Sequence, residues 1–223
     1  MSNVPQIEPL YVFAVYMLGS REEAIGAVCD AMAAQPQEPA AWLAGLVAAL
    51  IAAEKKRRVD HFAALDDILR TNTTIPVDLE HPLVQGDATR LAMLLSELQR
   101  TCLITTLRSL PAERRAFFIL CHVLGLSIES CAAVCDTTID GVNTTDRRAR
   151  KSLDDYLGSR CEHLDPGNPC HCVARLGNAL ERGLVAWPDH NDHDGASLVP
   201  KVYREASLLY AGLPRVRLPV VPG

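Results

Sequence analysis

The sequence predicts an all-α protein. Hydrophobic residues make up 48% of the 223 positions but aromatic residues only 5%, and the middle of the chain is rich in Ala and Leu. This balance favours packed helices, because strands prefer Val, Ile, Tyr and Phe. Apolar residues also recur at helical spacing in several segments that Gly, Pro and Ser separate. A chain of this length is long enough for one or two domains with their own cores.

Three helices are predicted in the N-terminal part: residues 10–18, residues 21–34, and a third helix that begins near Pro39 and continues into Lys55-Lys56-Arg57-Arg58. Ser20 follows the helix-breaking Gly19 and is placed to cap the second helix. Trp42 lies in the Leu and Val stripe of the third helix, so it is expected in the core. We therefore predict a first helical domain over residues 8–60.

The next stretch, residues 61–87, is predicted to be a linker, because residues 71–76 and His81-Pro82 interrupt any long helix. A long helix is predicted to follow from about residue 87 to residue 107. Its apolar stripe consists of Leu91, Leu94, Leu95, Leu98 and Leu103.

A helix over residues 112–124 and a helix-turn-helix between Gly125 and Leu153 are predicted to complete a second domain, residues 88–158. Ser109 is expected to cap the first of these helices, with Pro111 in its first turn. In the helix-turn-helix, Ser127 precedes apolar residues at helical spacing and is expected to be an N-cap. A polar break, Asp136-Thr137-Thr138, precedes a second helix with Ile139, Val142 and Ala149 on one side and Arg147, Arg148, Arg150 and Lys151 near its end. This pattern is typical of a DNA reader.

The chain then changes to a turn-rich Cys/His extension, residues 159–185, and a tail, residues 186–223, with one predicted helix over residues 201–209. Soft and borderline ligands are concentrated in the extension, and we predict a zinc or copper site formed by Cys161, His163, Cys170 and Cys172. The alternative is that these cysteines are small buried hydrophobes that pin the extension to the domain. No cofactor is required in either case.

Charge and composition limit the classes of function. The formal net charge is −5, so any DNA binding must come from local basic patches. The chain has no apolar run long enough for a spanning helix and no signal-like start, and its eight cysteines are scattered, which predicts a cytoplasmic protein with reduced thiols and no membrane partner. Catalytic constellations and phosphate-binding Gly loops are missing, so an enzyme is not expected. Cys121, Cys131 and Cys135 are expected in the core, and His122 is expected to be partly buried with a partner.

Four short motifs mark the second domain: Leu110-Pro111, Arg114-Arg115, Gly125-Leu126-Ser127 and Arg148-Ala149-Arg150. With these motifs, and with no gap needed from Gly125 to Leu153, the domain resembles the promoter-binding domain of bacterial sigma factors of the extracytoplasmic-function (ECF) group. The segments LYVFAVYMLGSREEAIGAVCDAM and AAWLAGLVAALIAAEKKRR are similar to the family's polymerase-docking domain. The segment CEHLDPGNPCHCVARLGNALERG is similar to a Cys-containing extension of some members. The resemblance covers roughly residues 10–185.

This resemblance implies a transcription initiation factor that binds core RNA polymerase mainly through residues 10–58 and promoter DNA through the helix-turn-helix, with an anti-sigma or other regulatory protein as a further partner. The residues implied to contact DNA are Asn143, Thr144, Thr145, Arg147, Arg148, Lys151, Lys55, Lys56, Arg57 and Arg58. Asn and Thr can contact base edges, whereas Arg and Lys neutralise phosphates. The alternative is that both basic groups are solvated helix ends whose cations complement the helix dipole.

Several positions depart from the family pattern. Residues 25–29 (Ile-Gly-Ala-Val-Cys) replace acidic residues and a Gln, and Ala49 and Ala53 replace Asn and Asp. In the reader helix, Asn143 and Thr145 stand where basic residues are usual, and Asp146 stands where an apolar residue is usual. A second interpretation is therefore a sigma-like regulator that binds DNA or proteins but no longer initiates transcription, and that responds to a metal through the extension.

Overall fold

The computed structural model describes residues 7–34, 39–56, 74–75, 77–82, 84–185, 198–214, 216 and 218. Within these ranges the all-α prediction is confirmed, and the only extended pairing is an isolated bridge between Cys161 and Cys170. The helices are α1 (Ile7–Leu18), α2 (Arg21–Ala34), α3 (Pro39–Lys56), α4 (Ala88–Arg108), α5 (Ala112–Phe118), a π-helical segment (Ile119–Val123), α6 (Ile128–Val134), α7 (Ile139–Leu157), α8 (Cys172–Glu181) and α9 (Ala206–Ala211).

Local capping signals determine several of these boundaries. The Ser20 hydroxyl accepts a hydrogen bond from the Glu23 N–H at 3.2 Å, so the predicted cap of α2 is confirmed. The predicted cap of α5 is wrong: its N-cap is Pro111, and no side chain caps it. Because α5 begins at Ala112, the N-cap position is occupied by Pro111 rather than by Ser109.

The tail helix was also predicted with a wrong start. Helix α9 begins at Ala206 rather than residue 201, because the preceding backbone is extended and the Tyr203 N–H donates to the His163 carbonyl at 2.7 Å. A contact with a distant residue therefore replaces the helical hydrogen bond that the sequence pattern predicted for this position.

The first of two compact units consists of residues 1–60 and 107–152. Helix α1 is buried continuously from Leu10 to Leu18 and packs on α2, α3, α5 and the π-helical segment. Trp42 is 7% exposed, which confirms its predicted place in the core. Helix α3 also packs on α5 and α6.

A buried ion pair joins three helices of this unit. The Arg115 guanidinium of α5 donates to the Glu54 carboxylate of α3 at 2.9 Å and to the Met17 carbonyl at the end of α1 at 2.5 Å. Both charged side chains are 5% exposed or less. Burial lowers the pKa of Arg115 and the Glu54 charge opposes this effect. Because a buried charge is costly without a partner, this contact constrains how α1, α3 and α5 pack.

The second compact unit consists of residues 61–106 and 153–223. All five leucines of the predicted α4 stripe are buried, and part of that stripe packs against Leu176 and Ala179 of α8. Gly177 of α8 lies so close to the Ile75 backbone that a Cβ atom would have no room. The tail belongs to this unit: the Tyr210 hydroxyl donates to the Leu103 carbonyl at 2.7 Å, and the Ala206 N–H donates to the Asp154 carboxylate at 2.8 Å.

Each compact unit is assembled from two separate segments of the chain, whereas the predicted domains are continuous ranges. The functional assignment of the ranges 8–60, 61–87, 88–158, 159–185 and 186–223 stays a prediction, and most of the linker lies outside the described residues. In the tail, Leu209, Tyr210 and Leu213 are buried and Leu208 is 44% exposed. Among the helices in the described part of the chain, none is long and apolar enough to cross a membrane.

We expect Arg115→Met to lower the free energy of unfolding by about 3–5 kcal/mol, because it leaves the Glu54 carboxylate buried without its cation. Urea unfolding followed by circular dichroism measures this change. The double variant Arg115→Met/Glu54→Leu should recover much of the loss. Lys55→Ala is the matched control, since it removes an ion pair with Glu113 whose two side chains are more than half exposed, worth about 1 kcal/mol or less. A loss at Arg115 no larger than at Lys55 would contradict the proposed constraint.

Candidate functional site

The helix-turn-helix is built from local signals that the sequence contains. The Ser127 hydroxyl accepts from the Ser130 N–H at 3.2 Å, which confirms the predicted cap of α6. The polar break is also confirmed: Asp136 has a φ of 47° and the Thr138 hydroxyl accepts from the Gly141 N–H at 3.1 Å, which caps α7. A left-handed residue between two caps makes a tight turn between short helices.

Helix α7 buries one side and exposes the other. Val142 and Ala149 are fully buried as predicted, but Ile139 is 48% exposed. Ile139 is the first residue of α7, so the apolar side that the sequence predicts is buried at Val142 and Ala149 but not at the start of the helix. Periodicity alone does not distinguish a first-turn position from an interior one.

The exposed side of α7 carries the residues predicted to contact DNA. Asn143, Arg147 and Lys151 follow one another at a spacing of four, which places them along one line of the helix surface. All three are exposed, as is Arg148, whereas Thr144 and Thr145 are half-buried. The structure therefore groups an amide, two hydroxyls and three cations on and beside one exposed face.

Asp146 faces the opposite way. It is 5% exposed and accepts hydrogen bonds from His122 Nε2 at 2.7 Å and from Arg150 Nε at 2.9 Å. Burial alone would raise the pKa of Asp146, but the hydrogen bonds and charges of His122 and Arg150 outweigh that effect and lower it. The predicted partly buried His122 is confirmed. This carboxylate therefore holds α7 against the π-helical segment at a position where sequence comparison led us to expect an apolar side chain.

The second predicted basic group, at the end of α3, is only partly described. Lys55 and Lys56 are exposed, and Lys55 forms an ion pair with Glu113 of α5 at 2.5 Å. Arg57 and Arg58 lie outside the described residues. The structure does not bring Lys55 or Lys56 into hydrogen bonding with any α7 residue that it describes.

Helices α2 and α3 both carry exposed apolar side chains. On α3, four alanines are exposed: Ala48, Ala49, Ala52 and Ala53. On α2, Ile25 is 41% exposed, and Gly26 and Cys29 are exposed too. Positions 25, 26, 29, 49 and 53 therefore lie on the surface of the first unit, whereas Val28 is buried in its core.

Three cysteines lie in or near α6, the first helix of the helix-turn-helix. Cys131 is fully buried as predicted, and Cys121 and Cys135 are half-buried. The sulfur atoms of Cys121 and Cys131 lie 3.3 Å apart, and their shared hydrogen bond raises the pKa of Cys121. Burial and the neighbouring Cys131 raise the pKa of Cys135 to about 11. Cys121 and Cys135 are therefore neutral thiols at physiological pH, whereas the hydrogen bond with Cys121 lowers the pKa of Cys131.

The extension brings together part of the predicted metal set. His163 and Cys172 approach each other with 3.6 Å between Nε2 and Sγ, and the Glu162 carboxylate, which the sequence analysis did not select, joins them. Cys161 and Cys170 instead pair through their backbones. In the described part of the chain, the three side chains Glu162, His163 and Cys172 form the group with metal-ligand spacing. Burial raises the pKa of Cys161 to about 11 and that of Cys172 well above its usual value.

The helix-turn-helix lies in a part of the chain that is similar to a known protein family. Its two helices, tight turn and exposed cations have the arrangement of the helix-turn-helix found in DNA-binding transcription factors. Residues 100–153 match the family model "Sigma-70, region 4". No solved structure matches the chain. The match covers the C-terminal part of α4 through most of α7, and residues 1–99 and 154–223 fall outside it.

We expect the Asp146 contacts to be sensitive to acid. Because the pKa of Asp146 is lowered by folding, its contribution to stability is present above the unfolded value of about 3.9 and is lost as the pH falls through the folded value. The difference in unfolding free energy between wild type and Asp146→Asn should therefore shrink as the pH falls below about 4. Urea unfolding at a series of pH values measures it.

The matched control for this prediction is Asp140→Asn, which changes an exposed carboxylate on the same helix. Its difference from wild type should stay small at every pH, since an exposed group gains little on folding. A difference at Asp146 that does not change with acidification would contradict the assignment of a folded-state pKa below the unfolded one.

Proposed function

We propose that the chain is a sigma-like transcription initiation factor that recognises promoter DNA with α7 and binds core RNA polymerase. The observation that carries this proposal is the exposed line Asn143, Arg147 and Lys151 within the stretch that matches sigma-70 region 4. If the end of α7 were only a solvated helix end, it would not require an amide and two cations aligned along one solvent-facing line.

The proposed division of labour follows the chemistry of the side chains. Asn143 and Thr144 lie nearer the start of α7, the part of a recognition helix that contacts base edges. Arg147, Arg148 and Lys151 lie further along, where phosphate contacts fix the register of the helix on the duplex. Because the chain as a whole is acidic, the affinity depends on these few cations and should fall steeply with salt.

Two ranges of the chain are proposed to bind different partners. We assign core-polymerase binding to residues 8–60 and promoter docking to residues 88–158, and membership of the ECF group is supported by the paired resemblances of both ranges. An anti-sigma or other regulatory protein is proposed as a further partner. The proposed role is non-enzymatic and is carried out in the cytoplasm, where core polymerase and promoter DNA are found.

We expect Arg148→Ala and Arg147→Ala to weaken promoter binding about 3- to 10-fold each at fixed salt and to reduce the slope of log affinity against log salt by about 1, as expected for one lost phosphate contact. Fluorescence anisotropy with a duplex selected from genomic fragments measures both quantities. Arg204→Ala removes an exposed cation outside α7 and is the matched control. Equal losses at positions 148 and 204 would contradict docking through α7.

A second candidate function is favoured by the surfaces of α2 and α3. The exposed Ala49 and Ala53 and the exposed Ile25 offer no charges or hydrogen-bonding groups where the family's polymerase-gripping positions are polar. Ala49 and Ala53 lie one helical turn apart on α3, and exposed apolar surface favours protein contact. In this candidate the chain still binds DNA through α7 but acts as a regulator through another protein, without initiating transcription.

Co-purification with core polymerase separates the two candidates. If the chain initiates transcription, the full-length protein should bind core polymerase and support transcription from genomic templates. Arg148→Ala should keep polymerase binding and lose promoter-dependent transcripts, because it alters only the α7 face. DNA binding without any association with core polymerase would select the second candidate.

A further inference from the structure

The turn-rich start of the extension is a rigid local structure rather than a loose loop. The Asn168 side chain donates to the Gly158 carbonyl at 2.9 Å and to the Cys161 carbonyl at 3.0 Å. The Glu162 N–H donates to the Cys170 carbonyl at 3.2 Å. These bonds fold residues 158–170 back on themselves, so that Glu162 and His163 reach the first residue of α8, Cys172.

The result is a mixed group of ligands. One ligand atom each from Glu162, His163 and Cys172 lies within 4.8 Å of the other two. With Zn–S near 2.3 Å and Zn–N near 2.0–2.1 Å, the S-to-N edge of a tetrahedral site is about 3.6 Å long. The Cys172 Sγ to His163 Nε2 distance is 3.6 Å. The two atoms therefore already have the separation that a shared zinc ion requires.

Neighbouring groups orient the three side chains. His163 Nδ1 lies 3.0 Å from the Lys201 carbonyl, and because a carbonyl only accepts, Nδ1 carries the proton and Nε2 presents its lone pair to the Cys172 side. One Glu162 oxygen accepts from the Cys172 N–H at 2.5 Å and the other lies 2.9 Å from His171 Nδ1. Each carboxylate oxygen keeps a second lone pair for a metal. Such outer contacts are typical of metal ligands.

The three side chains also share a small cavity. Glu162, His163 and Cys172 line it together with Ser96, Gln99 and Tyr203, and it offers about 60 Å³. That space admits a few water molecules. A site with three protein ligands and room for water in a fourth position is a common zinc arrangement, whereas a fully closed site would need a fourth side chain.

We propose that Glu162, His163 and Cys172 bind one Zn²⁺ ion, with water in the fourth position. A set of one thiolate, one imidazole and one carboxylate suits zinc, since Cu⁺ selects sites richer in sulfur and Mg²⁺ or Ca²⁺ selects oxygen. This site differs from the one expected from the sequence, because it uses Glu162 and excludes Cys161 and Cys170. The proposal is independent of the transcription function.

Zinc at this site reinforces the attachment of the tail. His163 contacts the tail twice, through Nδ1 to the Lys201 carbonyl and through its own carbonyl to the Tyr203 N–H. A metal that fixes the imidazole fixes both contacts. Binding to the folded state alone raises the midpoint of thermal unfolding, and it should also slow proteolysis within residues 198–205.

The test uses full-length protein stripped with a chelator and titrated with Zn²⁺ against a chromophoric competitor. Wild type should bind a single high-affinity ion, and His163→Gln and Cys172→Ser should each weaken that binding by at least about 100-fold. Cys161→Ser and Cys170→Ser are the matched controls, which remove neighbouring thiols and should bind nearly as well as wild type. Loss of binding in all four variants, loss only in the controls, or no binding by wild type would overturn the proposal.

Substitution with Co²⁺ keeps the proposal testable even if a variant fails to fold. Wild-type protein with Co²⁺ should show the visible bands of a tetrahedral ion and a thiolate-to-cobalt band with the intensity of a single sulfur ligand. A band with the intensity of two or more thiolates would overturn the proposal, because it would place the ion among Cys161, Cys170 and Cys172 instead. The midpoint of thermal unfolding should rise with Zn²⁺ in wild type and in Cys170→Ser, and should not rise in His163→Gln.

Discussion

The buried Arg115–Glu54 pair is the interaction on which the first compact unit depends. Two charges in the protein interior must satisfy each other, and the Arg115 guanidinium also satisfies the carbonyl that ends α1. One side chain thus specifies how three helices meet, where apolar packing alone would tolerate several arrangements. Because Arg115 lies shortly before the helix-turn-helix, the helices of the N-terminal segment and the proposed DNA reader share one core.

Local features of this fold could be predicted from the sequence, and long-range ones could not. Helix α2 has its predicted bounds, and two of the three predicted serine caps, Ser20 and Ser127, are present, because such a cap depends on residues three positions apart. The sequence did not predict which segments of the chain form each unit. The Arg115–Glu54 pair joins residues 61 positions apart, and in the sequence each residue looks like a solvated surface ion. The start of α9 was wrong for the same reason, because it depends on the contact between Tyr203 and His163.

In the candidate sites, too, local features could be predicted from the sequence and contacts between distant residues could not. Asn143, Arg147 and Lys151 share one line of the helix surface because of their spacing of four along α7, and that spacing is readable in the sequence. The role of Asp146 depends on His122, which reaches it from the π-helical segment 24 positions earlier. Glu162 was overlooked because a lone glutamate usually reads as a solvated charge, although its position directly before His163 was a usable signal. Its burial, which makes it a ligand candidate, appears only in the folded chain.

The hydrogen bond from Tyr210 to the Leu103 carbonyl has a consequence for dividing the chain into working parts. Leu209 and Tyr210 are core residues of the second unit, although they lie far beyond the stretch that matches sigma-70 region 4. A shortened protein that ends after α8 would lose two buried side chains of this core and the hydrogen bond that Tyr210 adds to the Leu103 carbonyl of α4. Residues 206–213 are therefore an integral part of the second unit, and loss of activity after their removal would report loss of the fold rather than removal of a regulator.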